Sequence, residues 1–315
     1  MPDLTAGDEA FHPPGPEEQW SDSLYFGGGD AQRGVALYTR IGRRPNEGVV
    51  EGALGVWLAD GRFVLAFGRN DDVDASAIAC GPVAYECAAP FELWRIALRG
   101  RGRVYARAED VALARDRFEE VALGGSLRFT AWTDPIEFES GVTEGVAARH
   151  YEQPGSLSGV LEVGEERVPI AGAGMRDHSW GVRDWQGVPY WRWFGCMIDP
   201  DTFVVMNNVG TADGGETVGG WLMRDGTLAP IVSGETESEL DPQLGSQRRF
   251  VARGRDELGR SVELVGEAIA VAPLRQRRGG RLTHVNEGLT RVRWDGHETL
   301  AISEYLVQQE EAAVA

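Results

Sequence analysis

The sequence predicts an all-β protein built from a pair of antiparallel barrels or sandwiches, and three observations carry that reading. Glycine accounts for 42 of 315 residues without a collagen-like period, and glycines scattered among short apolar runs mark many turns. The apolar runs fall into two series, joined mostly by hairpin signals such as Asp60-Gly61, Asp225-Gly226 and Asp295-Gly296. Alternation within the runs is imperfect, so several strands are covered on both faces. Closed sheets suit this better than an open one, because closure hides the edges. No short repeat is visible, which argues against a solenoid or propeller.

Taken in order, residues 1–19 read as a flexible arm, with Pro13, Pro14 and Pro16 close together, and structure begins near Trp20. Residues 23–26 (SLYF) lead to a turn at 27–30 (GGGD). A strand at 34–42 follows, RRPNEG turns the chain, and 49–58 pairs through Asp60-Gly61 with 62–67. The stretch ending at Ala79 is acidic and loop-like. Residues 91–98 form a strand with apolar groups on both faces, and 101–106 forms another. The one helix of this half is 108–120 (AEDVALARDRFEE), with strands again at 127–132 and 136–138. Strands at 157–163 and 168–170 then bracket a turn and deliver the chain into a central stretch, 176–194. The second series runs through 190–198, 202–209, 217–223, 228–232, 248–253, 262–271, 283–294 and 300–306. The expected domains are therefore the 1–19 arm, a first barrel at 20–160, a second barrel at 161–309 carrying the central stretch, and a frayed acidic tail at 310–315.

Composition narrows the function classes. The 31 basic residues are all arginine, and against 49 acids they leave a net charge of −18. Without lysine there is no Schiff-base chemistry and no P-loop lysine. The charge argues against nucleic acid and anionic membrane surfaces as partners. Cys80, Cys87 and Cys196 are odd in number and lack metal-like spacing, so a reduced, cytoplasmic location is the simplest reading. The acidic N-terminal stretch has no apolar core of a signal peptide, and no run of about 18 apolar residues spans a membrane. The oligomeric state is left open.

The central stretch reads RDHSWGVRDWQGVPYWRWF and holds four of the ten tryptophans, Trp180, Trp185, Trp191 and Trp193. Asp177, His178, Asp184 and three arginines sit among these rings, which is what a site needs to move protons in a dry pocket. A tryptophan-rich core with satisfied polar groups is the alternative. Asp177 and His178 are the candidate catalytic pair. On a regular strand they point to opposite faces, unless the glycines of AGAG and Gly181 introduce a bulge. In an aromatic cavity desolvation would let Asp177 hold a proton near neutral pH; otherwise it braces an arginine. His178 is either the acid or base itself, the group that orients Asp177, or a satisfied core histidine. Trp180, Trp185, Tyr190, Trp191 and Trp193 are candidate pocket residues whose rings would stabilise a cation, or else ordinary core. Trp191 and Trp193 share one strand face, with Tyr190, Arg192 and Phe194 on the other. His150, Glu152, Glu287 and Glu304 are further candidates for binding substrate. These residues and His284 could hold zinc or iron with His178, but no H-x-H or H-x-x-x-H spacing exists, so no metal is expected. No G-x-S-x-G elbow appears, and the 27–29 glycines lack the strand and helix context of a dinucleotide site.

The run from Gly174 to Gly181, GMRDHSWG, resembles the G-x-x-D-H-x-W-G signature of the carotenoid 1,2-hydratase-like superfamily, which includes kievitone hydratase-like proteins and lipocalin-like Diels–Alderases and cyclases. Residues 286–305 (NEG…WDG…SEY) and 150–153 (HYEQ) are similar to bacterial members, and the likeness covers the chain from about Trp20. The resemblance implies two lipocalin-like antiparallel β-barrels in one chain. It implies a cofactor-free acid–base enzyme for an apolar isoprenoid, steroid or polyketide-like substrate, a hydratase, isomerase or cyclase. A non-catalytic carrier of hydrophobic ligands on the same fold is the rival expectation, because fold does not fix chemistry.

Overall fold

The structure, a computed structural model, describes residues 4–73, 76–138, 147–184, 186–278 and 281–309. The chain divides into two compact units, 1–106 with 118–183, and 107–117 with 184–315. The first unit therefore extends beyond the expected boundary at 160. The reason is pairing: the strand that carries the central motif is hydrogen-bonded along its length to strands of the first unit.

The first unit contains β1 (Trp20–Asp30), β2 (Val35–Arg44), β3 (Val49–Trp57), β4 (Phe63–Asn70), β5 (Ile78–Cys80), β6 (Val83–Ala89), β7 (Leu93–Tyr105), β8 (Glu119–Ala131), β9 (Ile136–Glu137), β10 (Arg149–Val163) and β11 (Glu166–Val182). All pairs are antiparallel, in the order β4-β3-β2-β1-β11-β10-β8-β7, and β4 pairs back onto β7. That last pairing closes a ring of eight strands, while β6 and β5 extend from β7. β7 fuses the two strands expected at 91–98 and 101–106. The predicted helix at 108–120 shrinks to a single turn, α1 (Asp110–Leu113). Its C-terminal part is claimed by β8, where Glu119 already pairs with Val104.

Inside the first ring, Leu24, Phe26, Leu37, Ile41, Trp94, Ile96, Phe129 and Leu157 form one core. Phe26 packs on Tyr85, Trp94 and Phe129 with ring centroids 4.8, 5.5 and 5.6 Å apart. The second unit is a closed eight-stranded barrel of β12 (Tyr190–Asp199), β13 (Thr202–Gly210), β14 (Glu216–Arg224), β15 (Thr227–Leu240), β16 (Gln247–Asp256), β17 (Ser261–Arg278), β18 (Arg281–Trp294) and β19 (His297–Gln309). Phe194, Met206, Leu222, Phe250, Val292 and Tyr305 are among its core. The all-β expectation of two antiparallel barrels thus holds. The tail at 310–315 lies outside the described residues.

Residues 4–19 differ from the expected loose arm. A 3-10 turn, Ala6–Glu9, carries Glu9 into the first unit, where it is 3% exposed. The segment is pinned further along, where the Arg43 guanidinium donates to the His12 carbonyl at 2.6 Å and lies over the Phe11 ring. Asn46 donates to the carbonyls of Gly15 and Glu17 at 2.8 and 2.6 Å.

Candidate functional site

The motif strand β11 is regular where irregularity was in question. Its register against β1 and β10 runs without a shift from Ala173 through Trp180, so successive side chains alternate between faces. Arg176, His178 and Trp180 lie opposite Phe26, Leu24 and Asp22 of β1. Leu24 and Phe26 belong to the core, so this is the inner face. Asp177 and Ser179 lie on the other face, opposite Tyr25 and Ser23 of β1 and opposite Glu152 and His150 of β10. Asp177 and His178 therefore do not meet. The kink comes only after them, at Gly181 with φ 104°, where a Cβ would stand 2.5 Å from that of Ala148.

On the inner face His178 is fully buried and bound at both nitrogens. Its Nε2 lies 2.7 Å from Asp22 Oδ1, and its Nδ1 lies 2.8 Å from the Asp8 carbonyl oxygen. Both neighbouring oxygens are hydrogen-bond acceptors. His12 adds a second ring, whose backbone N–H donates to Asp22 Oδ2 at 2.6 Å. Its Nδ1 lies 3.2 Å from the same oxygen and its Nε2 lies 3.1 Å from Asp8 Oδ1. The His12 ring stacks on Trp180 at 4.1 Å and 12°. Burial disfavours the Asp22 carboxylate, but the charge of His178 and the hydrogen bonds from both histidines bring its pKa down to about 2. Burial likewise opposes a charged His12, yet Asp22 and Asp8 outweigh it and raise its pKa.

Beside this cluster lies a second buried charge pair. Arg176 Nη2 donates to Glu9 Oε1 at 2.7 Å, and Arg176 Nε donates to Gln153 Oε1 at 2.7 Å. Glu9 also accepts from Trp94 Nε1 at 2.9 Å, from the Phe91 amide at 3.0 Å and from the Tyr151 hydroxyl. Burial pushes the Glu9 carboxyl up, but Arg176, Tyr151 and the Phe91 amide more than offset it, and the net pKa is lowered. The guanidinium sits over the rings of Tyr151 and Trp94 at 5.1 and 5.3 Å. The interior half of the motif is thus committed to holding the N-terminal segment. Trp180, expected in a substrate pocket, is 8% exposed and packs with Trp20 and Tyr151.

The outer face gathers three of the predicted residues and one that was missed. His150 Nδ1 lies 2.7 Å from Ser179 Oγ, and His150 Nε2 lies 3.2 Å from Glu152 Oε1. Ser179 Oγ lies 3.4 Å from Asp177 Oδ1. Ser179 and Glu152 are buried and Asp177 is half-buried. Glu152, His150, Ser179 and Asp177 form one hydrogen-bonded row across β10 and β11. Tyr25, which faces Asp177 across the strands, stacks on Tyr38 with centroids 6.1 Å apart.

The remaining predicted residues belong to the second unit, except Trp185, which lies outside the described residues. On β12 the expected division of faces holds: Phe194 is in the core and Arg192 lies over the rings of Tyr190 and Tyr305. Tyr190 donates its hydroxyl to Glu216 at 2.8 Å. On the other face Trp191 donates to Glu304, which sits opposite Trp193 and opposite Glu287. A cleft of about 640 Å³ opens in this unit among Arg224, Arg253, Arg255 and Trp294, and none of the predicted residues lines it.

Sequence reasoning missed Glu9, His12, Asp22 and Ser179. Glu9 and His12 lie in a proline-rich stretch without periodicity, and nothing local marks them. Asp22 did carry a signal: it shares a strand face with Leu24 and Phe26, and an acid at a core position calls for a buried partner.

Three solved structures share the fold over nearly the whole chain. An AttH candidate (NE1406) from Nitrosomonas europaea is 12% identical with a TM-score of 0.60, covering 91% of this chain and 92% of its own. CghA is 11% identical with a TM-score of 0.58, covering 94% and 90%. Kievitone hydratase from Nectria haematococca is 8% identical with a TM-score of 0.57, covering 91% and 89%. At such identities the likeness is one of fold. No curated protein matches the sequence at a significant level. The chain belongs to the family described as a domain of unknown function (DUF7064), whose model matches residues 5–309.

Proposed function

We propose that this chain is an acid–base enzyme that acts without a cofactor on an apolar isoprenoid, steroid or polyketide-like substrate, as a hydratase, isomerase or cyclase. The observation that carries the reading is the hydrogen-bonded row Glu152–His150–Ser179–Asp177. The Ser179 hydroxyl has one hydrogen and two acceptors in reach, His150 Nδ1 at 2.7 Å and Asp177 Oδ1 at 3.4 Å. When the hydrogen points to His150, the ring donates from Nε2 to Glu152. When it points to Asp177, His150 donates from Nδ1; passing from this arrangement to the other, Glu152 gives a proton to Nε2, Nδ1 gives its hydrogen to Ser179, and Ser179 gives its own to Asp177, so one proton moves from Glu152 to Asp177. Such a row is a relay with a reservoir at one end and a carboxyl donor at the other. Asp177 and Glu152 also face each other directly across the strands, and a proton held between like charges relieves their repulsion.

In this reading Asp177 gives its proton to an alkene carbon and leaves a cation, which Tyr25 and its neighbours stabilise. For hydration, water attacks the cation and its proton returns through Asp177, so the alkene and one water become an alcohol. For isomerisation or cyclisation, the cation loses a proton from a neighbouring carbon to the same carboxylate. His178 is a brace for the N-terminal segment. The folds of kievitone hydratase and of CghA, the latter also solved with Sch210972, support such a reaction class. A carrier of hydrophobic ligands has no use for a buried relay, which favours the enzyme.

Removing the middle of the row tests this. Ser179→Ala keeps the strand and deletes the relay, so turnover on a panel of prenylated and polyene alkenes, read as deuterium uptake from D2O, should fall by about 10²–10⁴-fold. Unchanged uptake in this variant contradicts the relay.

A further inference from the structure

We propose that His12, Asp22 and His178 form a three-ligand site for a first-row divalent cation of the zinc type, which clasps the N-terminal segment to β1 and β11. The ligand atoms, one nitrogen from each ring and one carboxylate oxygen, all lie within 4.8 Å of one another. Tetrahedral zinc holds such ligands at about 2.0–2.2 Å, so closing around an ion requires only small side-chain movements.

The surroundings of the three ligands strengthen the assignment. A metal-bound histidine generally donates its other ring N–H to a carbonyl or carboxylate, which fixes the tautomer and the ring plane. Both rings here have that arrangement, and both find it on Asp8. His178 Nδ1 faces the Asp8 carbonyl oxygen at 2.8 Å, and His12 Nε2 faces Asp8 Oδ1 at 3.1 Å. Asp8 is itself held by the Thr5 amide and hydroxyl at 2.7 and 2.8 Å. The nitrogens left over, His178 Nε2 and His12 Nδ1, both point at Asp22. The carboxylate is oriented by the His12 backbone N–H at 2.6 Å, and the His12 ring is fixed by stacking on Trp180. Two imidazoles and one carboxylate suit zinc, iron, cobalt or nickel, not calcium or magnesium. Asp22 and His178 are fully buried, and His12, 16% exposed, provides the way in. Water completes the coordination.

Each facing nitrogen binds the cation through its lone pair, and the distal N–H groups stay on Asp8.

The test uses tag-free, chelator-stripped full-length protein titrated with ZnSO4 and with CoCl2. The expected result is one saturable equivalent per chain and a melting temperature that rises with zinc concentration. His12→Gln should abolish stoichiometric binding, Asp8→Ala should weaken it by about 10–100-fold, and the exposed-site control His297→Gln should leave it unchanged. Should His12→Gln fail to fold, X-ray absorption on the wild-type zinc complex counts the imidazoles, and two are expected. No saturable binding, binding that survives His12→Gln, or fewer than two imidazoles on the metal would overturn the site. In that event the cluster is a self-contained ion network.

Discussion

Glu9 and Arg176 form the most deeply buried arginine–carboxylate pair among the described residues, at 3% and 0% exposure. A buried pair adds little over a well-packed apolar one, but breaking it strands a charge. Glu9→Gln should therefore destabilise the first unit by about 3–5 kcal/mol in denaturant unfolding. The same residue sets a pH dependence. Its carboxyl pKa is lowered in the folded chain, so its contribution is complete above the unfolded value and is lost as pH falls through the folded one. The acid limb of stability against pH should be shallower in Glu9→Gln than in the native chain. None of this was legible in the sequence, because Glu9 lies 167 positions from Arg176 in a stretch with no pattern. Arg176 was visible as a base beside the motif, but its partner was not.

At the scale of elements, turn chemistry was the legible part. Asp225-Gly226 and Asp295-Gly296 sit where β14 meets β15 and β18 meets β19, with both residues of each pair at positive φ. Strand faces were harder to read. β1 is buried at ten of its eleven positions, so no alternation survives in its sequence. The helix at 108–120 failed because β8 pairing outweighed local propensity from Glu119 onward. The opposition of Asp177 and His178 followed from strand geometry alone, and the uninterrupted register of β11 decided it. Residues 4–19 read as an arm because prolines and acids dominate, yet they deliver both Glu9 and His12 to the interior. A chain starting at Trp20 leaves Arg176 and Asp22 buried without those partners. Its melting temperature should fall well below that of the full chain, whereas a free arm could be removed without change.

For the whole molecule, glycine frequency and hairpin spacing were enough to predict two antiparallel closed sheets, since these features act through local turns. The boundary between units was not readable, because β11 belongs with β1 by pairing at a distance of about 150 residues along the chain, as in Leu24 with His178. Cys80, Cys87 and Cys196 are all free thiols. No helix among the described residues is long and apolar enough to cross a membrane. In the proposed reading Asp177 handles protons on one face of β11 while His178 braces the chain on the other. Turnover, as deuterium uptake into alkene substrate, and melting temperature should be measured together on Asp177→Asn and His178→Asn. Asp177→Asn is expected to lose about 10²–10⁴-fold in turnover with its melting temperature kept, while His178→Asn is expected to melt earlier and keep its activity per folded molecule. The opposite pattern, an Asp177 variant that melts early yet turns over and a stable His178 variant that does not, would contradict it.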